Sequence, residues 1–151
     1  MRRAYILAIA GAIIVFLVVS ALLARIFSAN SAEQSAITSL VKDEAHGDIN
    51  AVIGDIAGCQ ASPTCRARAS YNATTLKRPG AVSIIQIQPS TSFSIAGTLG
   101  TARVAWNAGG SLPVVQCVRV RRNGNVVSGL KVDLLVVSRR IKSDTACPAH
   151  F

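Results

Sequence analysis

A run of 21 residues without a charge, from Ala4 to Ala24 (AYILAIAGAIIVFLVVSALLA), sits near the start of the 151-residue chain. As a helix it reaches roughly 32 Å, the thickness of a bilayer's hydrocarbon core. Arg2 and Arg3 precede it and Arg25 follows it. Two positive side chains plus the α-amino group favour a cytoplasmic N-terminus. The rest of the chain is then exported. The competing reading is a cleaved signal peptide, whose apolar region is about 7–15 residues long and ends at a small-residue site. Here the run is longer, Val19-Ser20-Ala21 is a passable site and Ser28-Ala29 a poor one, so an uncleaved anchor is favoured. Both readings export the domain. The expected organisation is an anchor over residues 1–27 and an extracytoplasmic domain over 28–151, in a single-pass protein of the cell membrane.

About 120 residues beyond the run suffice for one compact domain and are too few for two. Their Val, Ile, Leu and Ala content supports a core and argues against disorder. The chain has one Trp, two Tyr and four Phe, too few aromatic faces for a single-stranded nucleic-acid platform. No specific nucleic-acid motif occurs. The net charge of +9 is unevenly spread: +3 over residues 1–25, −4 over 26–57 and +10 over 58–151. An acidic segment thus precedes a basic body. It can neutralise that body internally, or leave a basic surface for anionic partners.

Cys59, Cys65, Cys117 and Cys147 all lie in the exported part. An even count in an oxidising compartment reads as disulfides. The favoured pairs are Cys59–Cys65, closing a short loop around Pro63, and Cys117–Cys147, tying a strand to the C-terminal tail. The spacing fits neither a zinc site nor a C-x-x-C redox motif.

Ser28 to Ser31 reads as a polar hinge. Ser31 with Gln34 forms a capping-box pattern that opens a helix. Apolar residues then recur at Ile37, Leu40, Val41, Ala45, Ile49, Val52, Ile53 and Ile56, one face of an amphipathic helix ending at Gly58. Asp43, Glu44, His46, Asn50 and Asp55 are assigned to the opposite, polar face, and Gly47 is a point for a kink. A short second helix is expected over 64–76. Strands follow near 81–88, 93–106, 113–122 and 125–139. Asn123-Gly124 is a hairpin signal. The in-facing residues match if a three-residue loop or a bulge at Gly129 sets Val118 opposite Leu130 and Gln116 opposite Val132. Cys117, Arg119 and Arg121 then face the other way, toward the tail. The order gives an α+β fold: an amphipathic helix plus a short helix packed on a curved antiparallel four-stranded sheet.

This order of anchor helix, amphipathic helix and four-stranded meander, with Val114-Val-Gln-Cys-Val-Arg-Val120 in its third strand, resembles membrane-anchored actinobacterial proteins with an NTF2-like or cystatin-like exported domain. The Mce-associated proteins are an example. The resemblance covers roughly residues 1–140 and implies an accessory or scaffolding role in the cell envelope. It carries over no functional residue, and the four-cysteine framework departs from that group.

Catalysis needs titratable groups beside a nucleophile or metal, and no such constellation is visible. His46 and Asp48 are two residues apart and do not share a helix face. His150 is next to last in the sequence. Asp133 reads as half of a surface ion pair with Lys131 or Arg119. Asn72-Ala73-Thr74 matches a glycosylation acceptor. Trp106 is assigned to packing, and Gln116 to a buried amide or the floor of a cleft. No catalytic residue, cofactor or metal is expected. The first expectation is a non-enzymatic interaction domain with an envelope protein partner. The alternative is a basic module for an anionic lipid headgroup, wall polymer or DNA, gripped by Arg119, Arg121, Arg122, Lys131, Arg139 and Arg140.

Overall fold

Secondary structure begins with a 45-residue helix, α1 (Arg2–His46), about 68 Å long. The computed structural model describes residues 2–89, 99–125 and 129–151, with the backbone alone at 2–8, 24–29, 124–125 and 129–130. The hinge expected at Ser28–Ser31 is absent, and the Ser31–Gln34 pattern caps nothing, because α1 runs through it. That stretch holds neither Gly nor Pro, and propagating a nucleated helix is easier than nucleating a second. Among the described residues no helix is long and apolar enough to cross a membrane. The described side chains of the apolar run cover residues 9–23, or about 22 Å of helix. They pack against no core: Phe16 is 69% exposed and Val15 63%.

The C-terminal part of α1 does pack. Ile37, Leu40, Val41 and Ala45 are fully or almost fully buried, as their spacing predicts. The helix ends sooner than Gly58. Gly47 takes φ +78°; its N–H donates to Glu44 O and that of Asp48 to Asp43 O, at 3.1 and 3.0 Å. This double closure needs a left-handed residue, which glycine supplies without steric cost. Asp48 then caps α2 (Ile49–Asp55) through Ala51 N. The kink anticipated at Gly47 is therefore a full break. A short 3-10 turn (Cys59–Ala61) leads to α3 (Pro63–Thr75), with Ser62 accepting from Cys65 N and Pro63 in the first turn.

Four strands follow: β1 (Val82–Gln88), β2 (Leu99–Ala108), β3 (Val114–Asn125) and β4 (Gly129–Val137). They form one antiparallel sheet in chain order. The first part of the expected second strand, residues 93–98, lies outside the described residues. Helices cover one face of the sheet, with α1 lying chiefly on β4. The core joins Ile37, Leu40, Val52 and Ala69 from the helices to Val104, Trp106, Val118 and Leu134 from the sheet. The fold is α+β as expected.

The register of the last hairpin differs from the expectation. β3 continues through Asn123-Gly124 to Asn125, which pairs with Gly129. The turn between them, residues 126–128, lies outside the described residues. Val118 pairs with Val137, not Leu130. The irregularity lies opposite Arg119 and Val120, not at Gly129: Val120 pairs with Leu134 and Arg119 with Val136, leaving Leu135 extra. One extra residue exchanges the faces of everything beyond it. Val137 consequently enters the core in place of Val136.

Both expected disulfides form: Cys59–Cys65 with Cα atoms 5.2 Å apart, and Cys117–Cys147 at 5.7 Å. Chain-entropy reasoning assigns the first about 2 kcal/mol and the longer loop about 4. After β4 the chain stays beside β3, with Ser138 N donating to Cys117 O and Ile141 N to Val115 O, both at 2.8 Å. It then returns over the outer face, where Cys117 holds Cys147.

Candidate functional site

The six basic residues assigned to an anionic surface divide between the two faces of the sheet and the segment after β4. β3 alternation places Arg119 and Arg121 on the outer face and Arg122 on the helix-covered face. Arg119 donates to Ala149 O at 2.6 Å, and its guanidinium lies 5.3 Å from the centroid of the Phe151 ring. It clamps the tail. Arg121 pairs with Asp133 at 3.1 Å, so Asp133 serves Arg121 and not Lys131 or Arg119. Arg122 forms an ion pair with Glu33 of α1, whose side chain is fully buried. Lys131, opposite Asn123, is exposed. Arg139 lies over the Tyr71 ring of α3, 4.4 Å from its centroid. Arg140 donates to Pro113 O at 3.2 Å. With Leu112, Ile141 and Lys142 it lines an open surface groove of ≈ 700 Å³.

A more unusual constellation lies inside. Glu44, Asn72 and Gln116 are all fully buried. The spacing Ile37–Leu40–Glu44 puts the glutamate on the apolar stripe of α1, not on the polar face to which its charge assigned it. α3 presents Asn72 toward it, and Asn72 Nδ2 donates to Glu44 Oε1 at 2.8 Å and to Ser138 O at 3.0 Å. From β3, Gln116 accepts from Trp106 Nε1 at 2.9 Å and donates to Ser138 O at 3.2 Å. The Ser138 hydroxyl accepts from Cys117 N and donates to Arg139 O. Gln116 is thus a satisfied buried amide, and Trp106 is a core residue. Burial inside this cluster pushes the Glu44 carboxyl up to about 7, with the Gln116 and Asn72 amides offsetting part of the effect. Two buried oxygens, Glu44 Oε2 and Asn72 Oδ1, make no hydrogen bond. No family model, curated protein or solved structure matches the chain. The site must be read from its own geometry.

Complete burial removes Asn72 from consideration as a glycan acceptor, since its amide nitrogen is committed to Glu44 and Ser138. His46 ends α1 on the surface. Asp55 is raised to about 6, by burial first and then by the neighbouring Asp43. Among the described residues no group of His, Cys, Asp or Glu side chains is arranged to hold a metal ion. The clustered chemistry is therefore one buried acid surrounded by amides, closed to solvent.

Proposed function

We propose that this chain is a single-pass membrane protein displaying a small disulfide-bonded domain on the non-cytoplasmic side. There it acts without catalysis, as an accessory or scaffolding component that binds an envelope protein. The observation carrying this reading is the division of α1. Its C-terminal part buries a regular stripe in the domain, whereas its described apolar residues from Ile9 to Leu23 stand about half-exposed all round. A helix apolar on every side needs an apolar environment. In the sequence the run extends to Ala4 and Ala24, the length a bilayer requires.

Three further features support the reading. Arg2 and Arg3 favour a cytoplasmic N-terminus. Two disulfides fit an oxidising compartment. The resemblance to Mce-associated proteins, which rests on the order of elements in the sequence, implies the same accessory role. The anionic-ligand reading has less support, because Arg119, Arg121 and Arg122 are each engaged within the protein.

Membrane fractionation tests the anchor. The chain should remain in the membrane pellet through alkaline carbonate washing. A C-terminal tag should be cut by protease added from outside intact cells. Release by carbonate, or a tag protected until the cells are lysed, would overturn the reading.

A further inference from the structure

Among the described residues, two of the three buried oxygens that accept no hydrogen bond lie in one cluster. Glu44 Oε2 and Asn72 Oδ1 are both buried, and both are acceptors when the carboxyl is ionised. Their partners in the same two groups are already joined, since Asn72 Nδ2 donates to Glu44 Oε1 at 2.8 Å. A carboxylic acid and a primary amide that share one such bond can share a second. It requires a proton on the other carboxyl oxygen, donated to the amide oxygen. A single proton then satisfies both orphaned atoms at once.

We propose that Glu44 is a buried proton-binding site: as the neutral acid it donates Oε2–H to Asn72 Oδ1, closing a cyclic acid–amide pair that latches α1 to α3. Ionisation of Glu44 opens the latch. The proton leaves to solvent, and the carboxylate keeps only the bonds its amide neighbours donate. Buried charge of that kind is unfavourable without a cation beside it.

Among the described residues, the groups around Glu44 supply no such cation. From α3 it meets Asn72, and the Gln116 amide approaches it from β3. Beyond Gln116 stands Trp106 of β2, and Ser138 O takes the remaining amide hydrogens. On α1 itself, Asp43 and Ser39 are directed to Asp55 of α2, and His46 is exposed. Arg139 is committed to the Tyr71 ring and Arg122 to Glu33. The stem of Lys77 lies against Gly47, where α1 ends. Desolvation therefore dominates, and it raises the carboxyl to about 7.

The sign of the pH effect follows from proton counting. Below about pH 4.5 Glu44 is neutral in both folded and unfolded chains, and the latch contributes fully. Between about 4.5 and 7 the unfolded chain ionises while the folded one keeps its proton, so stability falls about tenfold per pH unit. Above 7 both forms are ionised and the loss is complete. α1 is the element that continues into the proposed anchor, so the latch makes the seating of the domain on its stalk dependent on pH.

The test uses the full chain in detergent micelles and the variant Glu44→Gln. Glutamine can make the same two-bond ring with Asn72, and it does not titrate. From pH 5 to pH 8 the unfolding equilibrium constant of the native chain should rise roughly 70-fold more than that of the variant. The infrared difference between native chain and variant at pH 6 should show a protonated carboxylic acid carbonyl that disappears at pH 9. Identical pH dependence in the two proteins would overturn the proposal. So would the absence of the acid carbonyl at pH 6, which can be read even if the variant folds poorly at other pH values.

Discussion

Glu33 and Glu44 are both fully buried, eleven positions apart on one face of α1, and they are held in opposite ways. Glu33 meets the guanidinium of Arg122; Glu44 meets amides alone. The spacing made both legible, since Glu33 lies four residues before Ile37 and Glu44 four after Leu40. Their charge hid them, because a carboxylate on a helix is ordinarily placed in water. Asn72 was hidden by its glycosylation triplet, and nothing local signals that it faces Glu44. The ion pair differs in kind from its neighbour on the strand. Arg122→Met should cost about 3 kcal/mol, because it removes an ion pair to a buried carboxylate. Adding Glu33→Leu should recover much of that loss. Arg121→Gln breaks a pair whose side chains are 43% and 31% exposed, and should cost under about 1 kcal/mol. Denaturant unfolding of the four proteins measures all three effects. Equal costs for Arg121 and Arg122 would contradict this assignment.

At the scale of elements, periodicity located the helical and strand segments of the described residues but missed the 3-10 turn at Cys59–Ala61, and the joints between segments were less legible. The apolar stripe from Ile37 to Ile56 keeps its spacing across Gly47, so the sequence reads as one helix. The break becomes visible only in the φ of +78° and the paired closing bonds. Gly47→Ala should destabilise by about 1–2 kcal/mol, since a β-carbon is strained at that φ and would lie 2.9 Å from the Lys77 stem. Gly54→Ala should do the reverse. Gly54 lies within α2 with nothing within 4 Å of an added β-carbon, and alanine should gain up to about 1 kcal/mol. Thermal unfolding of the two variants should shift in opposite directions; shifts of the same sign would refute the capping role of Gly47. The register of β3 with β4 was misjudged for a related reason. Asn123-Gly124 is a strong turn signal, yet here it belongs to the strand, and alternation alone does not locate an extra residue such as Leu135. The disulfides were legible because four cysteines with one short loop and one strand-to-tail span leave little geometric choice.

For the whole molecule, α1 joins two environments. From Glu33 onward it is built into the domain by Ile37, Leu40, Val41 and two buried carboxyls. Between Ile9 and Leu23 it presents apolar side chains that stand about half-exposed. The domain it carries keeps its chemistry inside: a proton-holding cluster under the sheet and arginines turned to the tail, to Asp133 and to Glu33. Under the proposed function, the outward surface is what meets the partner. The most direct measurement is photo-crosslinking of the full chain in native membranes, with probes on exposed positions of the domain such as Tyr71, Ile85 and Lys131. One recurrent envelope protein should be captured, and still be captured when Arg119 and Arg121 are reversed to glutamate. Crosslinks only to anionic lipid or polymer, abolished by that reversal, would overturn the proposed protein partnership.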